Sequence, residues 1–274
     1  MGRVGIIAGL GRLPVVFAAE ARKAGLEAVA VGVVDNLDPG LAGVVNELRR
    51  IPAGRWQEII DALHDMQVKE VYLLGKVGKG RIFDPNGLDS RFLALTASLR
   101  EKNDDALLQA FVDDLEREGF VVGEQGRLLP HLVPPPGVLT RRQPTEREWR
   151  DIAYGYRIAK GLAGMDVGQA CAVKDGVVLA LEAIDGTDAC IRRGGSLCGP
   201  GVVAMKVAKP KQDLRFDIPV IGLDTLQSLL DVKGSVLAFE GGISFVIDRE
   251  ELVARADAHE VAVVAYRPDM QIPA

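Results

Sequence analysis

The sequence has 274 residues, a length that suits two domains better than one. Its 48% apolar and 26% charged residues are an ordinary globular composition and argue against a disordered chain. A formal net charge of −5 argues against a nucleic-acid groove, which needs a concentrated basic face, so no nucleic-acid partner is expected.

Cysteine usage and hydropathy predict the compartment. Cys171, Cys190 and Cys198 form no Cys-x-x-Cys pair, which favours buried thiols in a reducing compartment over a disulfide framework or a zinc cage. No run reaches the roughly 18 apolar residues of a membrane span. The amino terminus also lacks a signal-peptide pattern. We therefore expect a soluble, cytoplasmic protein.

Strands and helices alternate through the first part of the chain. Apolar runs predict strands at 3–9, 28–34, 68–75 and 120–123, and helical spacing predicts helices at 14–24, 55–66, 87–99 and 105–118. Such alternation is typical of a parallel sheet with helices on its faces. The fold class is therefore α/β, with a Rossmann-like parallel-sheet domain over residues 1–129.

A proline-rich stretch follows this first domain. Five of the 14 prolines lie between Pro130 and Pro144. This density predicts a linker over residues 130–144 that holds no packed element.

A second domain of mixed α/β type is predicted over residues 145–274. It opens with a helix at 146–161 and a β-hairpin that turns at Asp175 and Gly176. Further strands are predicted at 202–208, 215–222, 236–242 and 261–267, and further helices at 223–230 and 249–258.

A glycine turn joins the first strand to the first helix in the sequence AGLGRLP, residues 8–14. A bare helix start presents unpaired N–H groups to an anion, so Gly9, Gly11, Leu13 and Pro14 are candidate substrate contacts. Pro14 stands where the dinucleotide fingerprint has a third small residue. A tight turn without a ligand therefore remains an alternative, as does an enzyme that binds NAD(P).

A basic loop, GKVGKGR, ends the third predicted strand. Open α/β sheets bind ligands at this end of their strands, and Lys76, Lys79 and Arg81 are candidates to hold phosphate there. A solvated charged loop is the alternative.

The region from Asp185 to Asp217 concentrates charge. It contains six basic residues and four acidic residues, namely Arg192, Arg193, Lys206, Lys209, Lys211, Arg215, Asp185, Asp188, Asp213 and Asp217. The plain interpretation of its first part is an Asp-Gly turn followed by a helix that Thr187 or Asp188 caps. If residues 213–217 form an extended strand, Asp213, Arg215 and Asp217 share one face. Carboxylates that bind Mg²⁺ beside cations that neutralise phosphate indicate phosphoryl chemistry.

Four motifs, GLGRLP, NDDALL, DGTD followed by two arginines, and KVAKPKQDLRFDIPVIG, occur in this order along the chain. Together they resemble the LpxI-type UDP-2,3-diacylglucosamine pyrophosphatases of lipid A biosynthesis. The resemblance implies a Mg²⁺-dependent hydrolase, with Mn²⁺ as an alternative ion. Its products would be 2,3-diacylglucosamine 1-phosphate and UMP, after water attacks the sugar-side phosphorus. It also implies that Asp217 is the critical aspartate.

Together, the residues and the resemblance predict a site. Asp217 and Asp188 are the expected catalytic residues and, with Asp105, the expected metal ligands. The expected substrate contacts are Gly9, Gly11, Leu13, Pro14, Lys76, Thr187, Arg192, Arg193, Lys206, Lys209 and Arg215. A lipid nucleotide is the expected partner, with peripheral contact to the inner membrane and homo-oligomerisation as further expectations. The alternative is an NAD(P)- or nucleotide-sugar-binding protein that is not a hydrolase.

Overall fold

A computed structural model describes residues 2–77, 87–97, 99 and 104–270 of the chain. The chain divides into two units. Unit 1 comprises Met1–Pro130 together with the short segment Asp213–Phe216, and unit 2 comprises His131–Gln212 and Asp217–Ala274.

Unit 1 is built on a five-stranded parallel sheet in the order β3-β2-β1-β4-β5. Its strands are β1 Arg3–Ala8, β2 Glu27–Gly32, β3 Glu47–Arg50, β4 Glu70–Leu74 and β5 Val121–Val122. The central strand β1 is buried along almost its whole length, which a parallel strand covered on both faces requires. The parallel sheet predicted for this part of the chain is confirmed.

The helices of unit 1 include those predicted and also a short second helix that the sequence pattern did not indicate. They are α1 Leu13–Lys23, α2 Leu41–Val44, α3 Trp56–Asp65, α4 Ser90–Ala97 and α5 Asp104–Arg117, and a short 3-10 helix follows at Gln125–Leu128. Pro14 lies in the first turn of α1, where its missing N–H leaves no intrahelical bond unmade. In α3, Trp56, Ile59, Ile60 and Leu63 are buried at helical spacing, as the sequence predicts.

A buried carboxylate ties three helices of unit 1 together. Asp114 accepts hydrogen bonds from the Trp56 indole and from the Arg91 guanidinium, each at 2.7 Å. Burial alone would raise the pKa of Asp114, but the hydrogen bonds from Arg91 and Trp56 outweigh it and the pKa is lowered. Asp114 therefore stabilises unit 1 as a charged group.

Unit 2 contains a six-stranded mixed sheet in the order β6-β13-β11-β9-β7-β8. Strands β9, β11 and β13 run parallel, while β6, β7 and β8 are antiparallel to their neighbours. A separate parallel pair joins β10 to β12. The strands are β6 Gly137–Val138, β7 Ala170–Lys174, β8 Val177–Leu181, β9 Val203–Lys206, β10 Val220–Ile221, β11 Val236–Glu240, β12 Phe245–Val246 and β13 Ala262–Tyr266.

Both faces of this second sheet are covered. Along β11, Leu237 belongs to one apolar cluster and its neighbour Ala238 to another, as the period of two in a strand requires. The helices are α6 Glu146–Gly164, α7 Thr187–Cys198, α8 Leu223–Asp231 and α9 Arg249–Ala258. The mixed α/β type predicted for this part of the chain is confirmed.

The predicted hairpin at Asp175 and Gly176 is present between β7 and β8. Both residues have positive φ, at 57° and 76°, which suits a two-residue turn of this kind. The two carboxylate oxygens of Asp151 accept hydrogen bonds from the N–H groups of Asp175 and Gly176 at 2.8 and 2.7 Å. A buried aspartate thus fixes the turn, which the sequence pattern did not indicate.

The expectation that residues 130–144 hold no packed element is wrong. Gly137–Val138 pairs with β13, and the Val263 N–H donates to Thr140 Oγ1 at 3.0 Å. The prolines do not prevent this pairing, because β6 is an edge strand and hydrogen-bonds along one side.

The extended strand expected over residues 213–217 is also absent. Asp213 Oδ1 accepts a hydrogen bond from the Arg215 N–H at 2.9 Å, and Asp217 has a φ of 57°. An aspartate that bonds the main chain two residues on forms a turn in competition with a strand. Asp213, Arg215 and Asp217 therefore do not share one face of a strand.

Among the residues that the structure describes, none of the helices combines the length and apolar character that a membrane crossing requires.

Candidate functional site

The parallel strands β9, β11 and β13 of unit 2 end together at one edge, on Lys206, Glu240 and Tyr266, which we call the carboxyl edge. Open α/β sheets bind ligands at this end of their strands. The antiparallel strand β7 begins at the same edge, because Ala170 pairs with Lys206. The residue before it, Gln169, therefore lies beside the ends of the parallel strands.

A buried ammonium group lies just past the end of β9. Lys209 Nζ is 2.6 Å from Asp166 Oδ1 and 3.2 Å from Asp217 Oδ2. The Lys209 side chain is only 9% exposed, so water screens these contacts weakly. The structure thus brings together Lys209 and Asp217, two of the residues predicted for the site, and adds Asp166. Their formal charges sum to −1, which makes the cluster an acceptor of positive charge.

The backbone of Asp217 is held in an uncommon conformation. Its φ of 57° lies in the left-handed region, which aspartate tolerates better than most residues other than glycine. The neighbours Phe216 and Ile218 are both buried. A left-handed backbone at a residue other than glycine is a feature that functional sites share with ordinary turns.

An ion pair hydrogen-bonds to the main chain of the residue that precedes Lys209. The Ala208 N–H donates to Glu240 Oε2 at 2.8 Å, and Lys160 Nζ donates to the Ala208 carbonyl at 2.8 Å. Lys160 and Glu240 also contact each other at 3.1 Å. The Tyr156 hydroxyl donates to Glu240 Oε1 at 3.1 Å, and burial, together with the Glu240 charge, raises the pKa of Tyr156 to about 12. Tyr156 therefore remains a donor at neutral pH.

The start of α7 differs from the expected helix cap. The cap residue is Gly186, with a φ of 82°, and no side chain caps the helix. Thr187 Oγ1 instead donates to Glu182 Oε1 at 2.9 Å, while the Gln169 N–H donates to Glu182 Oε2 at 3.0 Å. The expectation that Thr187 or Asp188 caps α7 is wrong, because the Thr187 hydroxyl is directed to a buried glutamate. Both residues do begin the helix, as predicted.

Unpaired buried polar atoms are concentrated in unit 2. Within the described residues, four buried side-chain atoms have no hydrogen-bond partner: Asp166 Oδ2, Gln169 Oε1, Asp188 Oδ1 and Ser244 Oγ. Leaving such a group unpaired costs about 1–3 kcal/mol, so native proteins keep few of them. Asp166 contacts Lys209 just past the end of β9, and Gln169 directly precedes β7, whereas Asp188 lies in the first turn of α7. The carboxyl edge is therefore a candidate place for a polar ligand that supplies the missing partners of Asp166 and Gln169.

Two arginines predicted as substrate contacts have partners within the protein. Arg192 pairs with Asp231 of α8 at 3.1 Å. Arg193 pairs with Asp185 and donates to the Leu181 carbonyl at 2.7 Å. These contacts tie α7 to its neighbours.

Two further predicted cations also have protein partners. Lys206 is buried, and its ammonium donates to the Val220 carbonyl at 3.2 Å. Arg215 belongs to unit 1, where it pairs with Asp213 at 2.8 Å and with Glu116 of α5 at 2.9 Å. The hydrogen bond from Arg215 lowers the pKa of Asp213.

The glycine turn of unit 1 packs main chain against main chain. Leu10 and Lys76 exchange backbone hydrogen bonds at 2.7 and 3.0 Å, across the ends of β1 and β4. A Cβ at Gly9 would lie 2.5 Å from the Lys76 carbonyl oxygen, so only glycine fits there. Gly11 has a φ of 93° and open space around its Cα. This packing accounts for Gly9 without a bound dinucleotide.

The remaining substrate contacts predicted in unit 1 differ in how far they are buried. Leu13 and Pro14 are buried beneath the turn, whereas the Lys76 side chain is exposed. Lys79 and Arg81 lie outside the described residues.

The three predicted metal ligands are divided between the two units. Asp105 lies in the first turn of α5 in unit 1, and Asp188 and Asp217 lie in unit 2. Within the described ranges, no group of three or more His, Cys, Asp or Glu side chains is arranged to hold a metal ion.

Reasoning from the sequence missed Asp166, Gln169, Glu182, Lys160 and Glu240. One signal was available, because Glu240 is a charged residue that ends the apolar run VLAF directly before two glycines. Asp166 and Lys160 carry no comparable local pattern. Their contacts depend on how the end of α6 and the residues after it pack against the segment that follows β9.

The fold and the carboxyl edge define an α/β protein of two domains whose second sheet carries a charged, partly unsatisfied site. Residues 3–132 match the LpxI N-terminal domain and residues 135–264 match the LpxI C-terminal domain. The UDP-2,3-diacylglucosamine pyrophosphatase LpxI of Caulobacter vibrioides is 31% identical over 280 residues, covering 98% of this chain and 99% of that protein. The chain belongs to the LpxI family.

Solved structures offer more distant likenesses. An N5-carboxyaminoimidazole ribonucleotide synthetase in its ADP complex gives a TM-score of 0.28 at 15% identity, covering 63% of this chain and 32% of that chain. The synthetase from Thermotoga maritima gives 0.26 at 13% identity, covering 66% and 41%. The chain thus spans less than half the length of these structures, and scores this low carry no argument about function.

Proposed function

We propose that this protein hydrolyses the pyrophosphate bond of UDP-2,3-diacylglucosamine, giving 2,3-diacylglucosamine 1-phosphate and UMP. The observation that carries the proposal is the likeness, over almost the full length of both chains, to a relative named for this activity. The site in unit 2 supplies the chemistry that such a reaction needs.

Pyrophosphate hydrolysis concentrates negative charge on the phosphate oxygens, so catalysis depends on positioning and on charge neutralisation. Lys209 provides a positive charge whose place is set by Asp166 and Asp217. Asp217, about one-third exposed, is accessible for orienting a water molecule. The uncapped start of α7 adds main-chain N–H groups, which favour an anion.

We include a divalent cation, Mg²⁺, in this proposal. Mg²⁺ is commonly held by one or two carboxylates, with waters and substrate phosphates completing its shell. Asp188 fits this role because its buried Oδ1 lacks a partner, and Asp217 is the second proposed ligand. When bound, the ion supplies charge neutralisation at phosphate oxygens and acidifies a bound water. Asp105 stays a prediction as a third ligand.

The direct test incubates the purified protein with UDP-2,3-diacylglucosamine, with Mg²⁺ or with EDTA, and identifies the products by mass spectrometry. Release of UMP only with Mg²⁺ is the expected result. A second reaction is run in water labelled with oxygen-18. Labelled oxygen in 2,3-diacylglucosamine 1-phosphate is expected, because water then attacks the sugar-side phosphorus. Labelled oxygen in UMP would contradict attack at that phosphorus.

A variant pair tests the role of Asp217. Asp217→Ala should lower kcat by at least about 100-fold while substrate binding remains measurable. The matched control is Asp257→Asn, since Asp257 is also a carboxylate of unit 2 but pairs with Arg141. Near-normal turnover of Asp217→Ala contradicts the assignment.

The proposal extends to the setting of the reaction. A lipid-nucleotide substrate would be met at the inner membrane, so we propose peripheral contact, which flotation with vesicles of bacterial lipids tests. Self-association is proposed as well, and light scattering coupled to size-exclusion chromatography measures it.

A further inference from the structure

Asp166 makes the shorter of the two carboxylate contacts to Lys209. Its Oδ1 lies 2.6 Å from Lys209 Nζ, compared with 3.2 Å for Asp217 Oδ2. Asp166 lies two residues after the last residue of α6 and has a φ of 54°, so its backbone adopts an uncommon conformation. The contact therefore joins the end of a long helix to the segment that follows β9.

A purely structural role does not account for this carboxylate. Asp151, the buried aspartate of the hairpin, has both oxygens paired with main-chain N–H groups at 2.8 and 2.7 Å. Asp166 instead leaves Oδ2 buried and without a partner. Structural carboxylates are usually satisfied, whereas Asp166 uses one oxygen on a single cation.

The main chain next to Lys209 is fixed as well. Glu240 and Lys160 hold the N–H and the carbonyl of Ala208, each at 2.8 Å. Lys209 is thus restrained at its backbone by this ion pair and at its ammonium by Asp166. Restraint of this kind matters where a charge must already be in place, since preorganised charges stabilise a transition state without reorganisation.

We propose that Asp166 is a positioning residue that holds the Lys209 ammonium against Asp217 during pyrophosphate hydrolysis. The inference rests on the proposed function and adds a residue to its site. Asp166 acts through Lys209 and need not touch the substrate.

The kinetic test is a double-mutant cycle with Asp166→Asn, Lys209→Met and the double variant. Asp166→Asn should lower kcat about tenfold and change KM less than about twofold, because the ammonium is held less firmly. Asp166→Ala should lose more activity than Asp166→Asn, which retains an acceptor for Lys209. In the Lys209→Met background, Asp166→Asn should change kcat by less than about twofold, because residues that act as a unit are not additive.

A control separates positioning from stability. Asp151→Asn should lower the unfolding temperature and leave kcat unchanged, whereas Asp166→Asn should lower kcat even when it is assayed well below its own unfolding temperature. An unchanged kcat in both Asp166 variants, or an equal loss with and without Lys209, overturns the proposal.

A crystal structure of Asp166→Ala tests the inference without turnover. The expected result is that Lys209 Nζ leaves its wild-type position between the two carboxylates or becomes disordered. An unmoved ammonium overturns the inference. If the wild-type protein fails to hydrolyse the substrate, the proposed function fails, and this structure still decides whether Asp166 positions Lys209.

Discussion

Replacing Lys209 by methionine tests the site through both stability and activity. The substitution keeps the length and much of the apolar stem of the side chain but removes the ammonium. Asp166 and Asp217 are then left as neighbouring carboxylates without the cation that lies 2.6 and 3.2 Å from them. Both their mutual repulsion and their partial burial disfavour the folded state.

The magnitude follows from burial. Removing one partner of a fully buried ion pair costs about 3–5 kcal/mol. Lys209 is 9% exposed and Asp166 18%, but Asp217 is 31% exposed, so water offsets part of the loss. We expect a loss of about 2–3 kcal/mol, which corresponds to a fall of roughly 5–10 °C in Tm. The kcat for UMP release should fall about 100- to 1,000-fold, as when a preorganised positive charge or donor is removed.

The assay combines thermal unfolding by circular dichroism with UMP release measured well below the unfolding temperature. Lys211→Met is the matched control, because Lys211 is two residues away and exposed. The control should match the wild-type protein in both readouts. If Lys209→Met is as stable as Lys211→Met and equally active, the reasoning from the buried ammonium is refuted.

Two further predictions concern a buried carboxylate in each unit and the hydrogen bonds that it accepts. Asp114→Asn should destabilise unit 1 at pH 7, measured by urea unfolding. Because the pKa of Asp114 is lowered from its ordinary value of 3.8, its contribution is present above that value and is lost as pH falls through the lower folded pKa. The variant should therefore lack this acid-dependent loss; an identical pH dependence contradicts the account. Thr187→Val should cost about 1–3 kcal/mol by leaving Glu182 Oε1 without its donor, which urea unfolding also measures. Unchanged stability there means that the hydroxyl contact contributes nothing.

The secondary structure could be predicted where the pattern is local. Apolar strands such as β1, the helical spacing of α3 and the turn at Asp175 and Gly176 follow from periodicity and turn chemistry. Local patterns failed where a side chain overrode them. Asp213 turns the chain that was expected to be a strand, and Gly137–Val138 pairs despite the neighbouring prolines.

The site could be predicted only in part. Lys209 and Asp217 were identified from the sequence and lie in contact. The arginines at 192, 193 and 215, predicted as substrate contacts, each pair with an aspartate of the protein, and their contact with substrate stays a prediction. The number of charges in a segment does not say which partner each charge finds. Asp166 escaped prediction for the same reason, since its contact depends on tertiary packing.

The measurement that tests the central claim most directly is UMP release from UDP-2,3-diacylglucosamine by the wild-type protein beside Asp217→Ala and Asp257→Asn. The account predicts Mg²⁺-dependent turnover by the wild type and the Asp257→Asn control, and at least about a 100-fold loss in Asp217→Ala. Turnover that persists in Asp217→Ala, or a wild-type protein that releases no UMP, would contradict it.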